Sequence, residues 1–139
     1  MLGNSNSYEM VDGIVSQIMN CASLVYFQLG GGYPVDIYQK ALTIELERAQ
    51  LTFVIGQEYP VFYDGDLLIG KRKVEFVVEN MVTINIQTNN QLLPIDHQHV
   101  HQYLTAFHFD AGVVINFGEI EVEFKQFSNN TIKTLMEVA

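Results

Sequence analysis

The sequence predicts an α/β fold in which one mixed β-sheet carries helices packed against it. Three observations lead there. Apolar residues recur at three- and four-residue steps through the first fifty positions. From Leu51 the apolar period changes to two, and near Val100 a single further helical stretch interrupts the strands.

In the first element Val11, Ile14, Val15, Ile18, Ala22, Val25 and Leu29 share one helical face, giving a helix over residues 8–28 that Gly30-Gly31-Gly32 stops. Cys21 falls inside that apolar pattern and reads as a small core residue. After Pro34, Asp36 with Gln39 three positions on has the form of a capping box. A second helix over residues 37–50 follows, with Ile37, Ala41, Leu42, Ile44 and Leu46 on its apolar side.

Strands are expected at 51–55 and 59–63, flanking a turn at Gly56-Gln57-Glu58, and Asp64-Gly65 marks a second turn. Residues 74–78 and 81–87 form a hairpin around Glu79-Asn80, with Val82, Ile84 and Ile86 on one face and Thr83, Asn85 and Gln87 on the other. A helix over 96–109 leads to a buried strand at 112–116. The last strand, 120–127, alternates: Ile120, Val122 and Phe124 inward, Glu119, Glu121, Glu123 and Lys125 outward. The resulting order is α-α-β-β-β-β-α-β-β.

At 139 residues the chain is expected to form a single domain, residues 1–139, that buries roughly two-thirds of its unfolded surface. Hydrophobic residues make up 48% and charged residues 17%, and the low charged fraction favours an oligomer. Sixteen acidic residues against seven basic ones give a net charge of −9, and protonating all four histidines still leaves −5. Binding to nucleic acid draws on Lys and Arg to release counterions, and Lys71-Arg72-Lys73 is the one basic cluster, so nucleic acid is disfavoured as a partner. One cysteine excludes an intrachain disulfide. With no signal-like N-terminus and no apolar run near the length of a membrane span, an intracellular soluble protein is expected.

Several short motifs then line up. Gly30-Gly31-Gly32-Tyr33-Pro34-Val35-Asp36-Ile37-Tyr38, preceded by Leu29 and followed by Ala41-Leu42, resembles the signature of the GxxExxY proteins, a branch of the PD-(D/E)XK nuclease superfamily. Tyr63-Asp64-Gly65 resembles that family's Tyr-x-Gly turn, Tyr103-Leu104 the end of its Gln-bearing helix, and Gly112-Val113-Val114-Ile115-Asn116-Phe117-Gly118 its Gly-x-x-x-Asn-Phe-Gly strand. The resemblance implies a restriction-endonuclease-like sheet. It also implies where a nuclease site would stand, and there the chain departs from the family. The signature Glu falls on Val35, the metal-binding Asp on Glu75, the Glu-x-Lys pair on Asn85 and Gln87, and the helical Gln on His99.

Phosphodiester hydrolysis by this fold needs carboxylates to hold Mg²⁺ and a Lys to stabilise developing charge. Glu75 can still ligate, but Asn85 is a neutral amide and Gln87 carries no charge at any pH. The expectation is a cluster that satisfies itself, with the Gln87 amide donating to Glu75, and no cofactor. His97, His101 and His108 share a helical face and read as partly buried residues rather than zinc ligands.

The chain therefore reads as a nuclease fold without catalysis, acting as a structural protein that self-associates into a homo-oligomer or filament. The alternatives are a regulatory pseudonuclease bound to a partner protein or nucleic acid, and a metal-dependent nuclease with a displaced site. Candidate interface residues are Lys71, Arg72 and Lys73 on one side and Glu119, Glu121 and Glu123 on the other, meeting head to tail.

Overall fold

A computed structural model describes residues 2–89 and 94–128; within these, the side chains of residues 2–8, 94–97 and 99 lie outside the description. The elements run α1 (Leu2–Leu29), α2 (Val35–Arg48), β1 (Phe53–Tyr63), β2 (Leu67–Val78), β3 (Val82–Gln87), α3 (Pro94–Ala106), β4 (Ala111–Phe117) and β5 (Val122–Ser128).

The five strands lie in the order β1-β2-β3-β4-β5. Only β3 and β4 are parallel, joined by the α3 crossover, and the other pairs are antiparallel. This is the mixed sheet with flanking helices that the sequence predicts. Val82, Ile84 and Ile86 of β3 face α1 and α2, together with Ile18, Val25, Leu42 and Leu46. The opposite face packs Val100, Tyr103 and Leu104 of α3 against Val74, Val77 and Val114. Covered on both faces, β4 is buried at all seven positions, which is why it reads as a continuous apolar run.

The triple glycine ends α1 as expected. Gly30 is left-handed at φ +69°, and its N–H donates to the Tyr26 carbonyl at 2.7 Å. The α2 start differs. Pro34 occupies the N-cap without a side-chain bond, and the helix begins at Val35. Proline's fixed backbone already sets the entry angle, so Asp36 lies in the first turn, where its charge suits the helix dipole.

The two strands expected before Asp64 are one. Gly56 takes φ +67° inside β1, and the pairs Ile55↔Phe76 and Gln57↔Val74 keep one register across it. What reads as a turn is a left-handed glycine inside a continuous strand, and the register of β1 on β2 shifts only further on, between Val61 and Phe62. The strand β2 also begins earlier than expected and carries Lys71-Arg72-Lys73 within it. At the other end, α3 stops at Ala106 and His108 adopts φ +62°, so His108 has left the helical face it was expected to share. Ile120, expected inward, lies outside β5 and is 93% exposed.

The stretch Glu9–Leu29 of α1 is, by length and composition, long and apolar enough to cross a membrane, contrary to the expectation for this chain. Its stripe of Val11, Ile14, Val15, Ile18, Ala22 and Val25 is nevertheless turned into the domain core.

Candidate functional site

The β2–β3 hairpin turns at Glu79 and Asn80, both left-handed at φ 52° and 57°, the backbone that a two-residue turn of this hand needs. The ladder holds for Val78↔Val82, Val77↔Thr83 and Phe76↔Ile84 and goes no further. At that point strand alternation breaks. Val74 packs on the α3 side while Phe76, two residues on, packs on the α1/α2 side. Glu75 lies between them, across from Gly56 and its positive φ.

The break frees the Glu75 side chain to fill the gap between the parting strands. The Ile86 N–H donates to Glu75 Oε2 at 3.1 Å, in place of a backbone carbonyl. Burial pushes the Glu75 carboxyl up to about 7, and the bond from Ile86 offsets only part of that rise. On β3, Asn85 Oδ1 is buried with no hydrogen-bond partner among the described residues. Gln87 Oε1 accepts from Asn89 Nδ2 at 2.6 Å.

Glu75, Asn85 and Gln87 are thus brought to one stretch of the sheet where β2 and β3 part. The expected bond from Gln87 to Glu75 is not the one formed: Ile86 serves Glu75, and Gln87 turns to Asn89. A backbone donor already fixed in the strand costs less to order than a mobile glutamine tip. Val35 is half-buried against the α1/α2-side core. His99 lies on α3, but its side chain falls outside the described residues, as does that of His97. Among the described residues no group of three or more His, Cys, Asp or Glu is arranged to hold a metal ion.

Two motif residues whose roles the sequence does not state are structural anchors beside this site. Asn116, fully buried, accepts the Asn89 N–H at 2.9 Å and donates to the Asn89 carbonyl at 2.9 Å and to Glu123 Oε1 at 3.1 Å. It therefore ties the exit of β3 to β4 and β5. Tyr38, also fully buried, stacks on Phe117 at 4.4 Å between near-parallel rings, and its hydroxyl donates to the Gly30 carbonyl at 2.5 Å. Tyr26 stacks on Phe117 as well and donates to the Gly118 carbonyl at 2.7 Å. The glycine turn and the Asn-Phe-Gly strand are two halves of one aromatic clamp. Replacing Asn116 with alanine strands both backbone groups of Asn89, and we expect a loss of about 2–3 kcal/mol in urea unfolding. A loss below about half a kcal/mol would mean that water substitutes freely for the amide.

A model of the PD-(D/E)XK nuclease superfamily matches residues 12–127 of this sequence. The chain belongs to the PD-(D/E)XK nuclease superfamily. The five-stranded mixed sheet and its helices agree with the restriction-endonuclease-like fold of that superfamily. A crystal structure of SSO0001 is similar over 73% of this chain, with a TM-score of 0.53 and 19% sequence identity, a likeness of fold alone. The present chain covers 55% of that protein, about half its length. No curated protein matches the sequence. Within the PD-(D/E)XK frame, the clamp of Tyr38 and Phe117 and the anchor at Asn116 hold the sheet around the parting strands, so these motif residues bear on shape rather than on charge.

Proposed function

We propose that this chain is a non-catalytic PD-(D/E)XK protein of the GxxExxY branch that serves as a self-associating structural protein. The observation that carries the reading is the state of Glu75. It is the one carboxylate left of the family's set at the parting strands, and it is turned onto a backbone N–H of its own sheet, its carboxyl raised to about 7. A metal-binding carboxylate must present its oxygens to the ion, and one oxygen of Glu75 is already taken up by its own sheet.

The neighbouring donors do not suit the divalent ion that the superfamily implies. Mg²⁺ seeks charged oxygens in octahedral array, whereas Asn85 offers one neutral amide oxygen and Gln87 is engaged with Asn89. Where the resemblance puts the lysine that would stabilise developing negative charge on phosphate, this chain has the uncharged Gln87. The net charge of −9 argues in the same direction, against a polyanionic substrate.

Support for self-association comes from apolar surface the fold does not use. Phe62, Tyr63, Leu67, Leu68 and Ile69 are each more than half exposed, as are Phe27 and Ile120. Patches of this kind mark contact surfaces. Sedimentation of the native chain across a concentration series is expected to give a species heavier than the monomer. A monomer throughout would shift the reading to a subunit that binds a different protein.

A further inference from the structure

The hairpin of β1 and β2 extends well past the sheet. Its pairing runs from Phe53↔Val78 to Tyr63↔Leu67, whereas β2 meets β3 only from Phe76 to Val78. From Glu58↔Lys73 outward the two strands have only each other as ladder partners. Every residue from Phe62 to Lys71 is exposed. Isolated two-stranded ribbons are marginal in water and need a third strand or a covering surface.

This ribbon is also apolar on both faces. Tyr63 pairs with Leu67 and Phe62 with Leu68, and consecutive residues of a strand point to opposite sides. Ile69 adds a further side chain at 64% exposure. The ribbon's root rests on the domain, where Tyr59 packs against Phe107 and Phe109, whereas residues 62–71 are exposed. At its root stand Lys71 and Lys73, both exposed; neither forms an ion pair among the described residues, although Glu58 lies across the ladder from Lys73.

The turn between β4 and β5 has the complementary character. Ile120, 93% exposed, is flanked by exposed Glu119 and Glu121, and the same residues with Gly118 and Glu123 line a cavity of about 190 Å³. Glu123 takes no part in the pairing because it holds Asn116, and Arg72 is half-buried. The candidate pairing narrows to Lys71 and Lys73 against Glu119 and Glu121.

We propose that residues 58–73 form an arm that grips the β4–β5 turn of a second copy of this chain, its apolar tip covering Ile120 and its two lysines meeting Glu119 and Glu121. This deepens the self-association reading and rests on it. The five apolar side chains at the tip expose on the order of 500 Å² between two faces, so one face supplies about a third of the roughly 800 Å² per partner in a stable interface. A lipid surface fits less well, because Asp64 and Asp66 stand at the very end of the arm, where insertion would bury them.

Sedimentation of three chains tests the arm: the native one, Lys71→Glu with Lys73→Glu, and Glu119→Lys with Glu121→Lys. The native chain is expected to assemble, each variant alone to fall to monomer while keeping native circular dichroism, and the two variants mixed to reassemble. A second arm variant, Leu68→Ser with Ile69→Ser, is expected to be monomeric and beyond rescue by charge. If the native chain assembles and the arm variants assemble equally well, the arm assignment is wrong and self-association stands. If the native chain is monomeric at every concentration, both fail. A monomer that instead sediments with phosphatidylserine vesicles overturns the assignment in favour of a lipid surface.

Discussion

Replacing Gly31 with alanine is expected to cost about 3–5 kcal/mol, enough to unfold much of a marginally stable chain at ambient temperature. A Cβ at this position would stand 2.6 Å from the carbonyl oxygens of both Glu119 and Gly118 and 2.8 Å from the Glu119 Cα. All three are backbone atoms, so no side chain can swing aside to make room. Tyr26 binds the Gly118 carbonyl and Tyr38 the Gly30 carbonyl, which pins the two turns together from both sides. Relief requires the turn after α1 to separate from the β4–β5 turn, disturbing the stack on Phe117. Gly30 and Gly32 are the controls. A Cβ there meets nothing within 4 Å, and the cost is that of the positive-φ backbone alone, about 1–2 kcal/mol at φ +69° and more at φ +102°, outside the left-handed α region. Urea unfolding of the three variants separates the two effects. Gly31→Ala within half a kcal/mol of native, or no worse than its neighbours, contradicts the close approach.

That contrast marks the boundary of what the chain discloses by itself. A run of three glycines after an amphipathic helix reads as a stop, and Gly30 does stop it, because helix termination is local. The demand on Gly31 comes from a turn almost ninety residues further on, and no periodicity carries it. The same holds inside β1. Gly56-Gln57-Glu58 has turn composition, but β2 supplies partners on both sides of Gly56 and the ladder overrides the local preference. The Glu79-Asn80 hairpin, the alternation in β3 and the buried run of β4 were legible because each is set within a few residues.

Glu75→Gln is expected to stabilise the protein above about pH 7 by up to about 3 kcal/mol, an unusual gain from removing a charged residue. The carboxyl titrates near 4.5 when unfolded and near 7 when folded. Between those values the unfolded chain has released a proton that the folded one retains, so native stability falls as pH rises through the window. Above it the deficit is constant, and below about 4.5 it vanishes. Glutamine keeps an oxygen for the Ile86 N–H and never ionises, so the variant lacks this slope. Partial exposure of Glu75 makes the figure an upper limit. Denaturant midpoints from about pH 5 to pH 8 for the two proteins should diverge as pH rises, the variant ahead. Parallel curves, or a native protein that gains on the variant with rising pH, would place an ionised carboxylate here.

Of the site itself, the sequence shows that Asn85 and Gln87 are uncharged but not the arrangement. A two-residue spacing puts both on one face of β3. It does not disclose that Glu75 lies at a break in alternation, because Val74 and Phe76 are apolar neighbours that any strand would accept. Nor does it disclose that Ile86 takes the place expected of Gln87. Which donor reaches Glu75 depends on how far β2 and β3 have separated, a property of the sheet's twist rather than of composition. Asn116 appears in the sequence only as a motif letter. Its role becomes visible when Asn89 and Glu123, from different elements, converge on its amide.

The absence of catalysis is the claim on which the rest depends, and a cleavage assay tests it most directly. The full chain and its Glu75→Ala variant are incubated with single- and double-stranded DNA and with RNA, in Mg²⁺ and separately in Mn²⁺. Both proteins are expected to leave every substrate as intact as the protein-free control. Metal-dependent cleavage by the native chain that disappears in Glu75→Ala would contradict the account, because it would make the half-buried carboxylate at the parting strands a working metal ligand.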